Sequence, residues 1–197
     1  MAATTAGYVL VGGRSSRFGS DKALAPWQGR PLALWVAEQV RAVAGSVALV
    51  GNPEKYARLG LPVIADAVEG FGPLAGVAAA LGHTRAAWNL IVACDMPHLS
   101  QEFLASLLSA ARGLPGDVLL PVGRRGRSEP LCAVYSKRSA GPIAAAVEAG
   151  IHKMSDGLAG LRVRRWPFRA YASFDRDGLL FANLNTPADL EAARLAG

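Results

Sequence analysis

The chain has few of the residues that build disulfide scaffolds, zinc sites or covalent hydrolases. Its two cysteines, Cys94 and Cys132, form no CxxC pair, which argues against both a disulfide framework and a zinc site and fits a reducing cytoplasm. The histidines His83, His98 and His152 have no partner at metal-ligand spacing and read as structural. No GxSxG elbow or Ser-His-Asp arrangement is present, which disfavours covalent hydrolysis. The longest candidate apolar run, Gly72 to Leu81, is too short for a bilayer and is interrupted by Gly and Pro. Met1 to Thr5 lack the basic start and apolar stretch of a secretion signal. Both common phosphate-loop patterns are missing: GxGxxG is absent, and the candidate P-loop lysine, Lys22, lies three residues past Gly19 and is followed by Ala23. An NTPase and a dinucleotide dehydrogenase are therefore both disfavoured.

What remains describes a globular α/β protein. The 197 residues, 51% hydrophobic and 18% charged, suit one domain over 1–197 with a full core. Short apolar runs at Tyr8–Val11, Val47–Val50, Asn89–Cys94 and Val118–Val122 carry almost no polar interruption. Such continuity marks strands covered on both faces, as in a parallel sheet. Helical spacing fills the gaps: from Pro31 to the stop at Gly45, from Pro73 to about Leu81, and from the Ser100 cap onward. Pro130 to Tyr135 reads as another strand, followed by a helix from Lys137 to Ala149 and then a glycine-rich basic stretch from Gly150 to Arg165. A last strand is expected near Phe181–Leu184, ahead of a helix begun by Thr186 and Pro187. The alternation predicts an open, mostly parallel sheet in three layers, with ligands gathered at the carboxyl ends of its strands.

Four segments carry the chemistry. The loop Gly12-Gly13-Arg14-Ser15-Ser16-Arg17-Phe18-Gly19-Ser20-Asp21-Lys22 places glycines, which allow close backbone approach, beside cationic Arg17 and Lys22. That combination suits a phosphate chain. Cys94-Asp95-Met96-Pro97 sets a carboxylate directly after a buried strand, where Mg²⁺ finds hard oxygen; a plain turn cap is the competing role. Phe71-Gly72-Pro73-Leu74-Ala75-Gly76, with Asp66 upstream, either admits a ribose or base or is a tight loop-to-helix junction. Asn183 and Asn185 alternate, and so would share one face of the expected strand; Asn185 or Thr186 could equally cap the helix. The net charge of +6 is nearly all arginine. It reflects either an arginine-rich composition or a cleft for an anionic small molecule. The arginines are scattered, without a basic strip interleaved with aromatics, so neither nucleic acid nor a membrane is an expected partner.

These motifs, LVGGRSSRFGSDKAL, GPLAG, CDMP and NLNTPADL, occur in an order that resembles the molybdenum cofactor guanylyltransferases (the molybdopterin-guanine dinucleotide biosynthesis protein A family), over about residues 7–195. The resemblance implies a Rossmann-like nucleotidyltransferase fold. It also implies an Mg²⁺-dependent transfer of GMP from GTP to the terminal phosphate of molybdenum-molybdopterin in the cytoplasm. Carried onto this sequence, Leu10, Val11, Gly12 and Gly13 contact the nucleotide through backbone groups, and Arg17 and Lys22 hold the triphosphate. Asp66 lies by the nucleotide and Asp95 binds Mg²⁺. Asn183 and Asn185 face the pterin, and His152-Lys153 stands where the family has paired basic residues for the pterin phosphate. The family's nucleotide-contacting Asn falls at Val50, and Asn52, two residues on, is the expected substitute. Proteins of cofactor synthesis and recipient molybdoenzymes follow as further partners. Two alternatives stay open: a nucleotidyltransferase using CTP or a sugar phosphate, and a carrier that binds nucleotide or pterin without turnover.

Overall fold

A computed structural model describes residues 4–12, 21–66, 68, 70–113 and 115–195. Strand β1 (Thr5–Leu10) is followed by the short hairpin β2 (Pro26–Trp27) and β3 (Arg30–Pro31), helix α1 (Leu32–Ala44) and strand β4 (Val47–Val50). Next come α2 (Pro53–Tyr56), β5 (Val63–Ile64), α3 (Pro73–His83), β6 (Trp88–Ala93) and α4 (Gln101–Gly113). The remainder is β7 (Val118–Val122), β8 (Cys132–Ser136), α5 (Ala140–Glu148), α6 (Met154–Gly157), β9 (Val163–Pro167) and α7 (Pro187–Leu195). No helix among the described residues is long and apolar enough to cross a membrane.

Seven strands form one sheet in the order β5-β4-β1-β6-β8-β7-β9. All neighbours are parallel except β8, which runs antiparallel to β6 and β7. Successive side chains of β1 leave opposite faces, and each meets a core. Val9 joins α1 and α4 residues such as Val36, Val40, Phe103 and Leu107. Tyr8 and Leu10 join α3 and α5 residues such as Leu74, Leu81, Ile143 and Val147. That double burial is why the Tyr8–Val11 run is apolar, and the expected three-layer sheet is found. The helix signals also hold: Gly45 ends α1 in the left-handed region with φ of 79°, and Ser100 Oγ accepts the Phe103 N–H at 3.2 Å.

Two expectations need correction. Phe181–Leu184 forms no strand. Its Leu184 N–H bonds the Asp95 carbonyl at 3.0 Å, but β6, the strand it reaches, already has β1 and β8 on its two sides, so there is no place for it to pair there. Conversely, β9 arises inside the basic stretch. It lies at the sheet edge against β7, with Arg164 and Arg165 exposed. An edge strand needs only partial cover, and its charges discourage pairing with other chains, so no apolar run marks it.

Candidate active site

Three segments far apart in sequence meet at the carboxyl edge of the sheet. Lys22 opens a 3₁₀ turn, Lys22–Leu24. Asp95 stands just past β6, and Asn185 just before α7. The Lys22 ammonium lies 3.0 Å from Asp95 Oδ2 and donates to Asn185 Oδ1 at 3.1 Å. The Lys22 and Asp95 side chains are 15% and 20% exposed. They are sheltered enough for charge to act more strongly than in bulk water, and still open to a ligand. Asn185 is held from behind: its N–H and that of Thr186 donate to Asp189 Oδ2 at 2.8 and 2.9 Å, and Asp189 N–H returns a bond to Thr186 Oγ1 at 3.1 Å. This reciprocal cap fixes the entry to α7. The bond from Asn185 N–H, with further help from Thr186, holds the Asp189 carboxyl below its usual range.

A second carboxylate sits on the same edge, past β5. A Cβ added at Gly12 would stand 2.9 Å from Asp66 Oδ2, and one added at Gly76 3.2 Å from Asp66 Oδ1 and 3.2 Å from Leu10 Cδ2. Asp66 therefore lies in a slot between the tip of β1 and the first turns of α3, and glycine on both walls admits it. Together these groups form a cation between an acid and an amide, beside a glycine-walled acid. The arrangement can take up a polyanion at Lys22 while leaving carboxylate oxygen for a hard cation.

Residues 7–162 match the model of the MobA-like NTP transferase domain. A probable molybdenum cofactor guanylyltransferase of Pelotomaculum thermopropionicum is 37% identical over 96% of this chain and 91% of its own length. The molybdenum cofactor guanylyltransferase of Cupriavidus metallidurans is 31% identical over 97% of this chain and 96% of its own. The crystal structure of molybdopterin-guanine dinucleotide biosynthesis protein A from Archaeoglobus fulgidus superposes with a TM-score of 0.84 at 31% identity, covering 97% of both chains. The chain belongs to the MobA-like NTP transferase family.

Within this MobA-like domain the structure sorts the predicted residues. Lys22, Asp95 and Asn185 are joined directly, and Gly12 borders Asp66. Gly13 and Arg17 lie outside the described residues. Leu10 and Val11 are buried, and their backbone is largely engaged within the fold. The Leu10 carbonyl takes the Cys94 N–H at 3.1 Å, and the Val11 N–H bonds the Val50 carbonyl at 2.9 Å. The Val11 carbonyl faces the Tyr56 hydroxyl at 2.6 Å. Val50 is the last residue of β4 and is buried, and Asn52 caps α2 through its Oδ1, which accepts the Lys55 N–H at 3.3 Å. His152 stacks on Phe71 with centroids 3.9 Å apart, and its Nδ1 is 2.9 Å from the Phe71 carbonyl. That contact ties its segment to the lead-in of α3. Lys153 is highly exposed beside Asp156, and Asn183 is exposed. No hydrogen bond or ion pair joins Asn52, Lys153 or Asn183 to Lys22 or Asp95 among the described residues. Sequence reasoning missed the roles of Asp21 and Tyr56, which sit between Val11 and the Lys22 turn. Asp21 Oδ1 accepts the Ala23 N–H at 3.0 Å, and its Oδ2 lies 2.9 Å from the Tyr56 hydroxyl.

Proposed function

We propose that this chain transfers GMP from GTP to the terminal phosphate of molybdenum-molybdopterin, releasing pyrophosphate. The observation that carries the reading is the Lys22 ammonium between Asp95 and Asn185. Membership of the MobA-like family and relatives named molybdenum cofactor guanylyltransferase supply the substrates. An acceptor phosphate oxygen attacks the α-phosphorus of GTP, the bond to the bridging oxygen breaks, and pyrophosphate leaves. The attacking phosphate is already ionised, so no general base is needed, and the protein's task is alignment and charge neutralisation. Lys22 meets the triphosphate, with Arg17 from the same loop. Gly12, Gly13 and Asp66 line the nucleoside side, while Asn183, Asn185 and the His152-Lys153 pair serve the acceptor side.

Asp95 fits magnesium of the kind held mainly by substrate. It offers one carboxylate at a strand tip, and no group of three or more ligating His, Cys, Asp or Glu side chains occurs among the described residues. Mg²⁺ commonly takes one or two carboxylates and completes its shell with phosphate and water. When bound it supplies positive charge against the phosphates. Pyrophosphate release, measured with molybdenum-molybdopterin and each nucleoside triphosphate in turn, tests the reading. Release with GTP alone is expected. Equal release with CTP, or none with any nucleotide, overturns it.

A further inference from the structure

We infer that Tyr56 is a positioning residue: its hydroxyl clasps Val11, just past β1, to Asp21, at the start of the Lys22 turn, and so sets where the Lys22 ammonium stands. The inference builds on the guanylyl-transfer reading for its kinetic test, though its geometry does not depend on the substrate.

Tyr56 closes the one-turn helix α2, which begins at the Asn52 cap and Pro53. Its ring is buried at 3% exposure and rests on the backbone just past β4, where a Cβ at Gly51 would come within 3.1 Å of Cε2. From there the hydroxyl oxygen reaches the Val11 carbonyl at 2.6 Å and Asp21 Oδ2 at 2.9 Å. Those two residues flank residues 12–20 in the sequence, so one oxygen ties the chain just past β1 to the start of the Lys22 turn. Asp21 passes the restraint on. Its other oxygen accepts the Ala23 N–H at 3.0 Å and caps the turn that carries Lys22, and Lys22 in turn reaches Asp95.

The hydrogen count explains the neighbour as well. A phenol has one hydrogen, and both of its partners here are acceptors, so that hydrogen is shared between the Val11 carbonyl and Asp21 Oδ2 in a three-centre bond. The Lys55 ammonium, 2.6 Å from the same Asp21 Oδ2, supplies the charge and hydrogen that Asp21 would otherwise lack. Burial raises the Tyr56 hydroxyl pKa, which keeps it a donor across the working range. A phenylalanine would fill the same space on Gly51; what the hydroxyl adds is aimed wholly at Val11 and Asp21.

The test compares Tyr56→Phe, Asp21→Asn and the double variant. It measures pyrophosphate release and, in the free protein, hydrogen exchange of the Ala23 amide. Tyr56→Phe is expected to lower kcat about tenfold or more with little change in KM for GTP, as a small displacement of a positioned charge does. It is also expected to speed Ala23 exchange about tenfold by freeing the cap. The double variant should be no slower than the worse single one, because both act through one path. An unchanged kcat or an unchanged Ala23 exchange rate in Tyr56→Phe overturns the clasp, as do losses that multiply in the double variant. If Tyr56→Phe does not fold, Asp21→Asn gives the same two readouts. Wild-type protein that releases no pyrophosphate from any nucleotide sinks the guanylyl-transfer reading alone, since the exchange measurement still decides the clasp.

Discussion

Lys22 bonds two oxygens from opposite halves of the chain, Asp95 Oδ2 and Asn185 Oδ1, and this sets how its removal would act. Lys22→Ala removes a preorganised charge, so turnover is expected to fall about a hundredfold or more. Wild-type pyrophosphate release from that variant would take Lys22 out of the chemistry. Gly76 makes the complementary case for an absent side chain. A methyl there would press on Asp66 Oδ1 and Leu10 Cδ2, each at 3.2 Å. Those side chains must give by a few tenths of an ångström, and the helix gain of Ala over Gly, about 1 kcal/mol, offsets the crowding. Gly76→Ala should therefore displace Asp66 and weaken GTP binding while moving the denaturant midpoint little, measured by calorimetry and by unfolding on one preparation. The meeting of Lys22 and Asp95 was legible because both lie past apolar strands whose carboxyl ends a parallel sheet gathers at one edge, although Asp95 alone reads equally as a turn cap. Tyr56 was not legible. A tyrosine in an amphipathic turn reads as core, and its bond to the Val11 carbonyl joins residues 45 apart, a pairing that local pattern does not encode.

At the level of elements, α7 is tied to the site through its cap. The Asn185 N–H bond is the largest cause of the low pKa of Asp189, so the folded state holds this carboxylate ionised to lower pH than the unfolded chain does. The sign follows: the cap's contribution is fully present above the unfolded value of about 3.9 and is lost as pH falls through the lower folded value. Amide exchange at Asn185 and Thr186 should accelerate in that acid window, and Asp189→Asn should flatten the pH dependence. An unaltered profile in the variant would mean the cap is held by something else. The helices were legible because their signals are local: Gly45 after α1, Ser100 before α4, Thr186 and Pro187 at α7. Strand identity depended on the neighbours. Phe181–Leu184 has the composition of a strand but meets β6, which is already paired on both sides, whereas β9 has the composition of a solvated loop and an edge waiting beside β7.

For the molecule as a whole, the parallel order β5-β4-β1-β6 brings the ends of β1, β5 and β6 to one side. The apolar runs announced that sheet, but the antiparallel β8 carries no separate mark, since a strand covered on both faces looks the same in either direction. The bond from Lys22 to Asn185 spans 163 residues. Contacts of such separation form late, because a long loop must close before they stabilise anything. In a refolding experiment, recovery of turnover should trail recovery of helical signal, and simultaneous return of the two would show the centre forming with its scaffold. Arrest during synthesis has a related consequence. A nascent chain stopped at residue 180 could assemble most of the sheet and still lack Leu184 against Asp95 and Asn185 against Lys22, so the ribosome would release a well-formed scaffold with an incomplete grip on its anionic ligand.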